Sequence, residues 1–425
     1  MSHDRITQLR ISGLRVIDDL TLPLRGTNVL IGDNGTGKSS ILEALELLRQ
    51  AAKPVSYVTD IVVRAHGGLQ SLLRRGAKEL RLGVTIEGAG PKLDYEFSLG
   101  DVGTTPMVLS ERVDMYMDPN ANVPFRALTR VGAEAKVFNV AIATAASDLA
   151  RRAGQYGAGA PQRVPIDGER LTLPWLGVNA PPDLQRLTDA LSRIEVHVPF
   201  ETRPIWQQRE LDIRVGPRWP GVVERSEALE RYGLNLANAY QQLRNLGDDT
   251  WSRVLDRARL GLGEDLRDFR LPASGRGNIE LEVLFGRAPD KPLRAAALSE
   301  GQLSYLAFIA LVELNRERSV LAFDEPELHL HPALLARVVW MLEQVAETTP
   351  VILATHSDRL LDALGNPQGS VVLCNLDAKS AVQLQRPDAN RLAEWLQSYR
   401  GLGSIRAEGY ESHIFLGRGH EGPGR

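Results

Sequence analysis

Val29-Leu-Ile-Gly-Asp-Asn-Gly-Thr-Gly-Lys-Ser-Ser40 decides how this chain is read. An apolar strand, Asn28 to Ile31, enters a G-x-x-x-x-G-K-S loop from Gly32 to Ser39, and a helix follows. The helix is predicted from Ile41, Ala44, Leu45 and Leu48, which fall at i, i+3, i+4 and i+7 and share one face. Strand, glycine loop and helix in that order form the setting of a phosphate site. Gly32, Gly35 and Gly37 let the backbone curl, so that N–H groups from Asp33, Asn34, Thr36 and Ser40 can face an anion. The helix N-terminus adds partial positive charge. Lys38 can then reach the β- and γ-phosphates, and the Ser39 hydroxyl can complete a Mg²⁺ shell. An ordinary glycine-rich turn is the alternative, but a chance match occurs in roughly one or two chains of this length per hundred. The pattern implies a nucleoside triphosphate site.

The rest of the composition bounds the setting. At 425 residues the chain exceeds what one core usually fills, so two or three lobes are expected. A hydrophobic share of 43% and a charged share of 24% are ordinary for a globular protein. The single cysteine, Cys374, excludes an internal disulfide and fits a reducing compartment. No apolar run approaches the ~20 residues of a membrane span, and the start lacks a signal-peptide layout, so a cytoplasmic protein with no membrane partner is expected. A net charge of −3 gives no overall bias toward nucleic acid. Two local stretches are basic: Arg64, Arg74, Arg75, Lys78 and Arg81, and then Arg203, Arg209, Arg214 and Arg218. Each reads either as a phosphate-binding surface or as a solvated face, so contact with DNA is open.

Along the chain, Ile6 to Ile11 and Leu20 to Leu24 read as strands, and Glu79 to Glu87 with Lys92 to Ser98 as a hairpin turning at Gly88 to Pro91. Composition changes after about residue 125. From there to about 270 the patterning is mainly helical, with helices expected over 184–195, 224–246 and 250–260. Interruptions are expected at Gly154 to Pro165 and Pro174 to Pro182. The α/β alternation then returns, with Asn278 to Phe285 as a strand, Gly301 to Leu314 as an apolar helix and Val320 to Phe323 as a buried strand. A helix over Pro332 to Glu347 and strands at Val351 to Ala354 and Val371 to Cys374 complete the pattern.

A second half of the site lies in this last part. Val320-Leu-Ala-Phe-Asp-Glu-Pro-Glu327 is an apolar strand ending in acids, a Walker B form. Asp324 would hold Mg²⁺ through a water, and Glu325 would orient or deprotonate an attacking water. Glu327, His329 and His331 also suggest a zinc site, but no third clustered His or Cys accompanies the two histidines. In Leu298-Ser-Glu-Gly-Gln302, Ser299 is placed as a helix N-cap. Val351-Ile-Leu-Ala-Thr-His-Ser357 puts His356 at a strand end, where it can meet a γ-phosphate.

Together the Walker A loop, Leu298 to Gln302, Asp324 to Pro332 and Thr355 to Ser357 resemble the RecF/SMC-like branch of ABC-type ATPases. Members are often described as AAA-family ATPases, and the overcoming-lysogenisation-defect nucleases carry a related head. Gly233-Leu-Asn-Leu-Ala237, Trp395, Tyr399, Leu402 and Gly403 are also similar to that family's small prokaryotic ATPases. The resemblance implies an α/β fold, an ABC-type P-loop core of mixed sheet with an annexed antiparallel β-subdomain. Residues 1–125 and 271–385 would be its two parts, 126–270 a mainly helical insertion or lid, and 386–425 an extension ending in a disordered tail. It implies ATP and Mg²⁺ as ligands, and catalytic roles for Lys38, Glu325 and His356. Ser299, Gly301 and Gln302 of one subunit would cap the γ-phosphate held by another in a head-to-tail homodimer with composite sites. Leu328 to His331 would be the D-loop at that interface, and Arg15 an arginine approaching the phosphates. The sequence departs from the pattern at Ser304, where relatives often carry Arg, and in lacking an aromatic within residues 1–30. Gln70 is the one Q-loop glutamine that suggests itself. Antiphage defence with a separate nuclease or toxin effector follows from the resemblance. DNA repair and an ATP-gated scaffold that holds a toxin are the alternatives.

Overall fold

A computed structural model describes residues 3–53, 57–58, 60–64, 66–117, 123–138, 161–211, 215–275, 277–314, 317–397, 399 and 401–415. The tail expected over 417–425, most of the interruption expected at 154–165, Arg214 and the Arg64 side chain lie outside the described residues.

The chain adopts the α/β architecture read from its sequence. β1 (Arg5–Leu14) and β2 (Ile17–Pro23) open an antiparallel sheet, and β3 (Thr27–Ile31) leaves it for a second one. β4 (Glu79–Glu87), β5 (Lys92–Val102) and β6 (Thr105–Tyr116) continue the first sheet. β7 (Phe125–Val131), β8 (Glu134–Val137) and β9 (Gln162–Pro165) extend it further. Its order is β2-β1-β4-β5-β6-β7-β8-β9.

The second sheet carries the core. β10 (Ile194–His197), β16 (Val320–Asp324), β17 (Val351–Thr355), β3 and β18 (Val371–Leu376) run parallel in that order, and β19 (Val382–Gln385) closes the edge antiparallel. Between β10 and β16 lie smaller pairings, β11 (Gly221–Val222) with β13 (Asn278–Ile279), and β12 (Leu266–Arg270) with β14 (Glu282–Phe285) and β15 (Leu293–Arg294).

Continuous apolar runs such as Val320-Leu-Ala-Phe and Val351-Ile-Leu-Ala suit strands covered on both faces. Successive residues point to opposite faces and so enter two different cores. Leu30, Ala322, Ile352, Ala354 and Cys374 join the one shared with α1 (Lys38–Ala51), α2 (Pro182–Ser192) and the antiparallel sheet. Val29, Ile31, Leu321, Phe323 and Leu353 join the one shared with α3 (Leu236–Asn245), α4 (Asp248–Leu262), α5 (Glu300–Glu313) and α6 (Pro332–Ala346). Leu303 to Leu311 of α5 are buried without a break, as an apolar-all-round helix must be.

The stretch 126–270 is more mixed than its patterning predicts. Its first strands extend the antiparallel sheet, and β10 is an integral strand of the core, beside β16. The helix expected over 184–195 stops at Ser192, and the one expected over 224–246 begins at Leu236. Residues before Leu236 are instead held by Asn235, whose side chain donates to Ser226 Oγ and the Ala228 carbonyl and accepts from Glu230 N. Such side-chain bonds compete directly with helical ones.

Candidate functional site

Three loops leave the core sheet on one edge, because β3, β16 and β17 are parallel and in register: Ile31 stands beside Thr355, and Ala354 beside Asp324. The glycine loop, the Asp324-Glu325 pair and His356 therefore converge at the carboxyl ends of neighbouring strands, where open α/β sheets place ligands.

The loop has the conformation its glycines allow. Gly32, Gly35 and Gly37 take φ of 156°, 79° and 91°. At Gly32 a Cβ would lie 2.1 Å from the Cys374 carbonyl oxygen, so the loop rests directly on β18, whereas at Gly35 nothing lies within 4 Å. Gly37 forms the N-cap of α1 without a side-chain bond, leaving the first N–H groups of the helix to an outside acceptor. Thr36 Oγ1 donates to the Asp33 carbonyl at 2.8 Å and braces the turn, while Asp33 and Asn34 are exposed. Lys38 Nζ donates to the carbonyls of Gly32 at 2.7 Å and Asp33 at 3.0 Å. Burial lowers the Lys38 pKa, against the opposing pull of Cys374, Glu325, Asp324 and Asp33.

Ser39 Oγ donates to Asp324 Oδ2 at 3.2 Å, across 285 residues of sequence. A hydroxyl and a carboxylate so placed are a hard oxygen pair suited to Mg²⁺. Burial raises the Asp324 pKa, with Ser39 and Lys38 opposing. Glu325 takes φ 49°, unusual for a residue with a Cβ, and its Oε1 lies 3.5 Å from His356 Nε2. Holding a non-glycine there costs of order 1–3 kcal/mol. Burial and the charge of Lys38 lower the His356 pKa.

Glu327 has a larger place in this cluster than its sequence position suggests. Its Oε1 accepts from Thr355 Oγ1 at 2.5 Å and from His356 N at 3.3 Å, and its Oε2 is buried with no hydrogen-bond partner among the described residues. Burial, with Glu325 adding to it and Thr355 opposing, pushes Glu327 up to about 7. The two histidines that follow are otherwise engaged: His329 Nδ1 lies 3.0 Å from Glu300 Oε2, and His331 Nδ1 accepts from Ala333 N at the start of α6.

Beside Ser39 opens a cavity of about 430 Å³ bounded by Arg15, Ser40, Glu43, His66, Arg231 and Asp324, with Val196 and Val198 from the end of β10. Arg15 is thus near the loop, but its guanidinium is paired with Glu43 at 2.5 and 2.8 Å. Burial alone would raise Glu43; Arg15 and His66 together hold it at about 2. Arg231 reaches this cavity from the middle segment, and nothing in its local sequence marks it. Gln70 does not bound the cavity and donates instead to Asp101 at 2.6 Å.

Residues 298–302 stand apart from that cavity. Ser299 caps α5: its Oγ accepts from Gln302 N at 3.2 Å, and Gln302 Oε1 accepts from Ser299 N at 2.9 Å. Ser299 is exposed. A Cβ on Gly301 would lie 2.6 Å from the His329 carbonyl oxygen, so the 328–331 turn packs against this helix start within one chain. Several basic residues are committed internally: Arg74 donates to the Val16, Lys379 and Ser380 carbonyls, Arg203 pairs with Glu201, and Arg218 is buried.

Residues 5–85 match the family model described as AAA ATPase domain, and residues 217–362 the model described as AAA domain, putative AbiEii toxin, Type IV TA system. Among curated proteins, protein ea59 of Escherichia phage lambda is 35% identical over 86 residues, 20% of this chain and 16% of that protein. The match thus spans less than a fifth of that relative's length. Among solved structures, an SMC head domain from Thermotoga maritima is 12% identical, with 91% of this chain and 100% of that one covered and a TM-score of 0.43. A Pyrococcus furiosus Smc head with an extended coiled coil, bound to the C-terminal domain of ScpA, is 12% identical, with 93% and 99% covered and a TM-score of 0.49.

Proposed function

We propose that this chain, two stretches of which match AAA ATPase family models, is a RecF/SMC-like ATPase of the ABC type that binds and hydrolyses ATP between two head-to-tail copies. The observation that carries the nucleotide site in this reading is the Ser39–Asp324 contact at 3.2 Å, which joins the two halves of a P-loop site across 285 residues of sequence. In our reading the loop from Gly32 to Ser40 holds the phosphates through its N–H groups and Lys38. Ser39 and Asp324 would hold Mg²⁺, whose charge would offset that of the phosphates. Glu325 takes the proton of the attacking water, a contribution worth about 10²–10⁴-fold in rate. His356 hydrogen-bonds the γ-phosphate, and the Ser299 hydroxyl of the second copy donates to it from the far side. Arg15 sits at the cavity wall and approaches the phosphates only if Glu43 yields.

The biological setting we favour is antiphage defence with a separate effector. The description of the model matching residues 217–362 as a putative toxin of a Type IV system supports that setting. Phosphate release by the purified chain with Mg²⁺ and ATP, with and without DNA, tests the activity. Turnover abolished by Lys38→Ala is the expected result. A purified chain that never consumes ATP, alone or with DNA, overturns the reading.

A further inference from the structure

The segment after β10 does two things at once. Val196 and Val198 form part of the nucleotide cavity wall, and Phe200 then enters the core, its ring 5.1 Å from both Phe323 of β16 and Phe308 of α5. Glu201 N donates to the Tyr232 carbonyl at 2.9 Å, which fixes Arg231 and its neighbour against the same wall. One residue further on, the Thr202 carbonyl accepts from Arg218 Nε at 2.9 Å.

Arg218 continues the connection. Its side chain is 4% exposed, and its Nη1 donates to the carbonyls of Ala296 at 2.9 Å and Leu298 at 2.7 Å, the residues that lead into Ser299. Only a planar fork with separated nitrogens reaches one carbonyl on the cavity side and two on the cap side. Thr202 and Leu298 are far apart in sequence, and among the described contacts this guanidinium binds their carbonyls directly together.

We propose that Arg218 is a positioning residue: it fastens the wall of a chain's own nucleotide cavity to the segment that presents Ser299 to the other copy. Filling one site then sets the aim of the cap on the second. This rests on the ATP-sandwich reading given above. Arg218 touches no phosphate; it acts through Leu298 and Ser299.

The test compares Arg218→Lys, which keeps the charge but not the fork, with the unaltered chain. Affinity for a fluorescent ATP analogue is expected to stay within about twofold, since Lys38 and its loop are untouched, while turnover falls about tenfold, an ordinary coupling. Amide exchange over residues 296–303 supplies the readout that a merely structural role would not move. In dilute, single-chain samples of the unaltered protein, a non-hydrolysable ATP analogue is expected to slow that exchange, and Arg218→Lys to abolish the response. Absence of any response in the unaltered chain overturns the proposal, whether or not the variant folds. So does a variant with normal turnover. If Ser299→Arg leaves turnover intact, the sandwich reading itself fails; if Ser299→Arg stops turnover and Arg218→Lys does not, only this inference fails.

Discussion

Lys38 is held in place by backbone alone, its Nζ on the Gly32 and Asp33 carbonyls. Removing the amine deletes the loop's one long cation but leaves the strand and helix around it packed. Lys38→Ala is therefore expected to lose nucleotide binding in a fluorescence titration while its melting temperature stays near that of the parent. Arg318 behaves oppositely, as a residue of stability. Its guanidinium lies 2.5 Å from Glu195 Oε2 inside the core, and burial alone would raise Glu195, but Arg318 and His197 hold it at about 2 against its ordinary 4.5. A carboxylate depressed in this way stabilises the fold above its unfolded pKa, and that contribution is lost as pH falls from about 4.5 toward 2. Arg318→Ala is expected to cost about 3–5 kcal/mol in denaturant unfolding, the usual penalty for stripping one partner from a buried pair. In Glu195→Gln, thermal stability is expected to vary less between pH 5 and pH 3 than in the parent.

Among the elements, α5 shows how a motif can serve two ends. Ser299 and Gln302 form a reciprocal cap at its start, and losing the serine oxygen costs about 1 kcal/mol. Ser299→Ala is accordingly expected to lower unfolding stability by about that much. In our reading it also lowers turnover, and Ser299→Arg stops turnover while nucleotide affinity is unchanged; comparing affinity with turnover separates the two effects. The elements that could be read from sequence are those whose evidence is local. Val29 to Ile31, the three loop glycines and the run Val320 to Phe323 announce themselves by spacing and apolarity. β10 does not. Ile194 continues the spacing of Leu184, Leu187 and Leu191, so the strand reads as the tail of a helix. Its Glu195 and His197 look too polar for a buried strand, and Arg318, remote in sequence, together with His197 makes Glu195 tolerable there. The same holds at the site: Lys38, Ser39, Asp324 and His356 follow from pattern, whereas the Arg15–Glu43 pair, Glu327 and Arg231 depend on contacts that no spacing encodes.

For the molecule as a whole, the proposed binding of ATP between two copies makes assembly the observable. Glu325→Gln keeps the shape of the side chain and removes its ability to take a proton, so ATP is expected to persist between two copies. Light scattering with ATP and Mg²⁺ should then register twice the mass of the single chain, and a mass unchanged by ATP contradicts the dimer. No helix among the described residues is long and apolar enough to cross a membrane. The middle segment is structurally inseparable from the core, since β10 pairs with β16. Excising 126–270 is therefore expected to yield an insoluble product rather than a minimal ATPase.

The neighbours of β3 carry one more consequence. Its two flanking strands, β17 and β18, pair with it through Val351 to Thr355 and Val371 to Leu373. During synthesis the glycine loop leaves the ribosome well before its support does: the strand that carries it has no hydrogen-bonding neighbour among the described residues until Val351 to Thr355 have been translated. Every truncated product of premature termination before that point therefore displays Lys38 on an unsupported loop, and such fragments are expected to be retained by chaperones rather than by an immobilised-ATP resin.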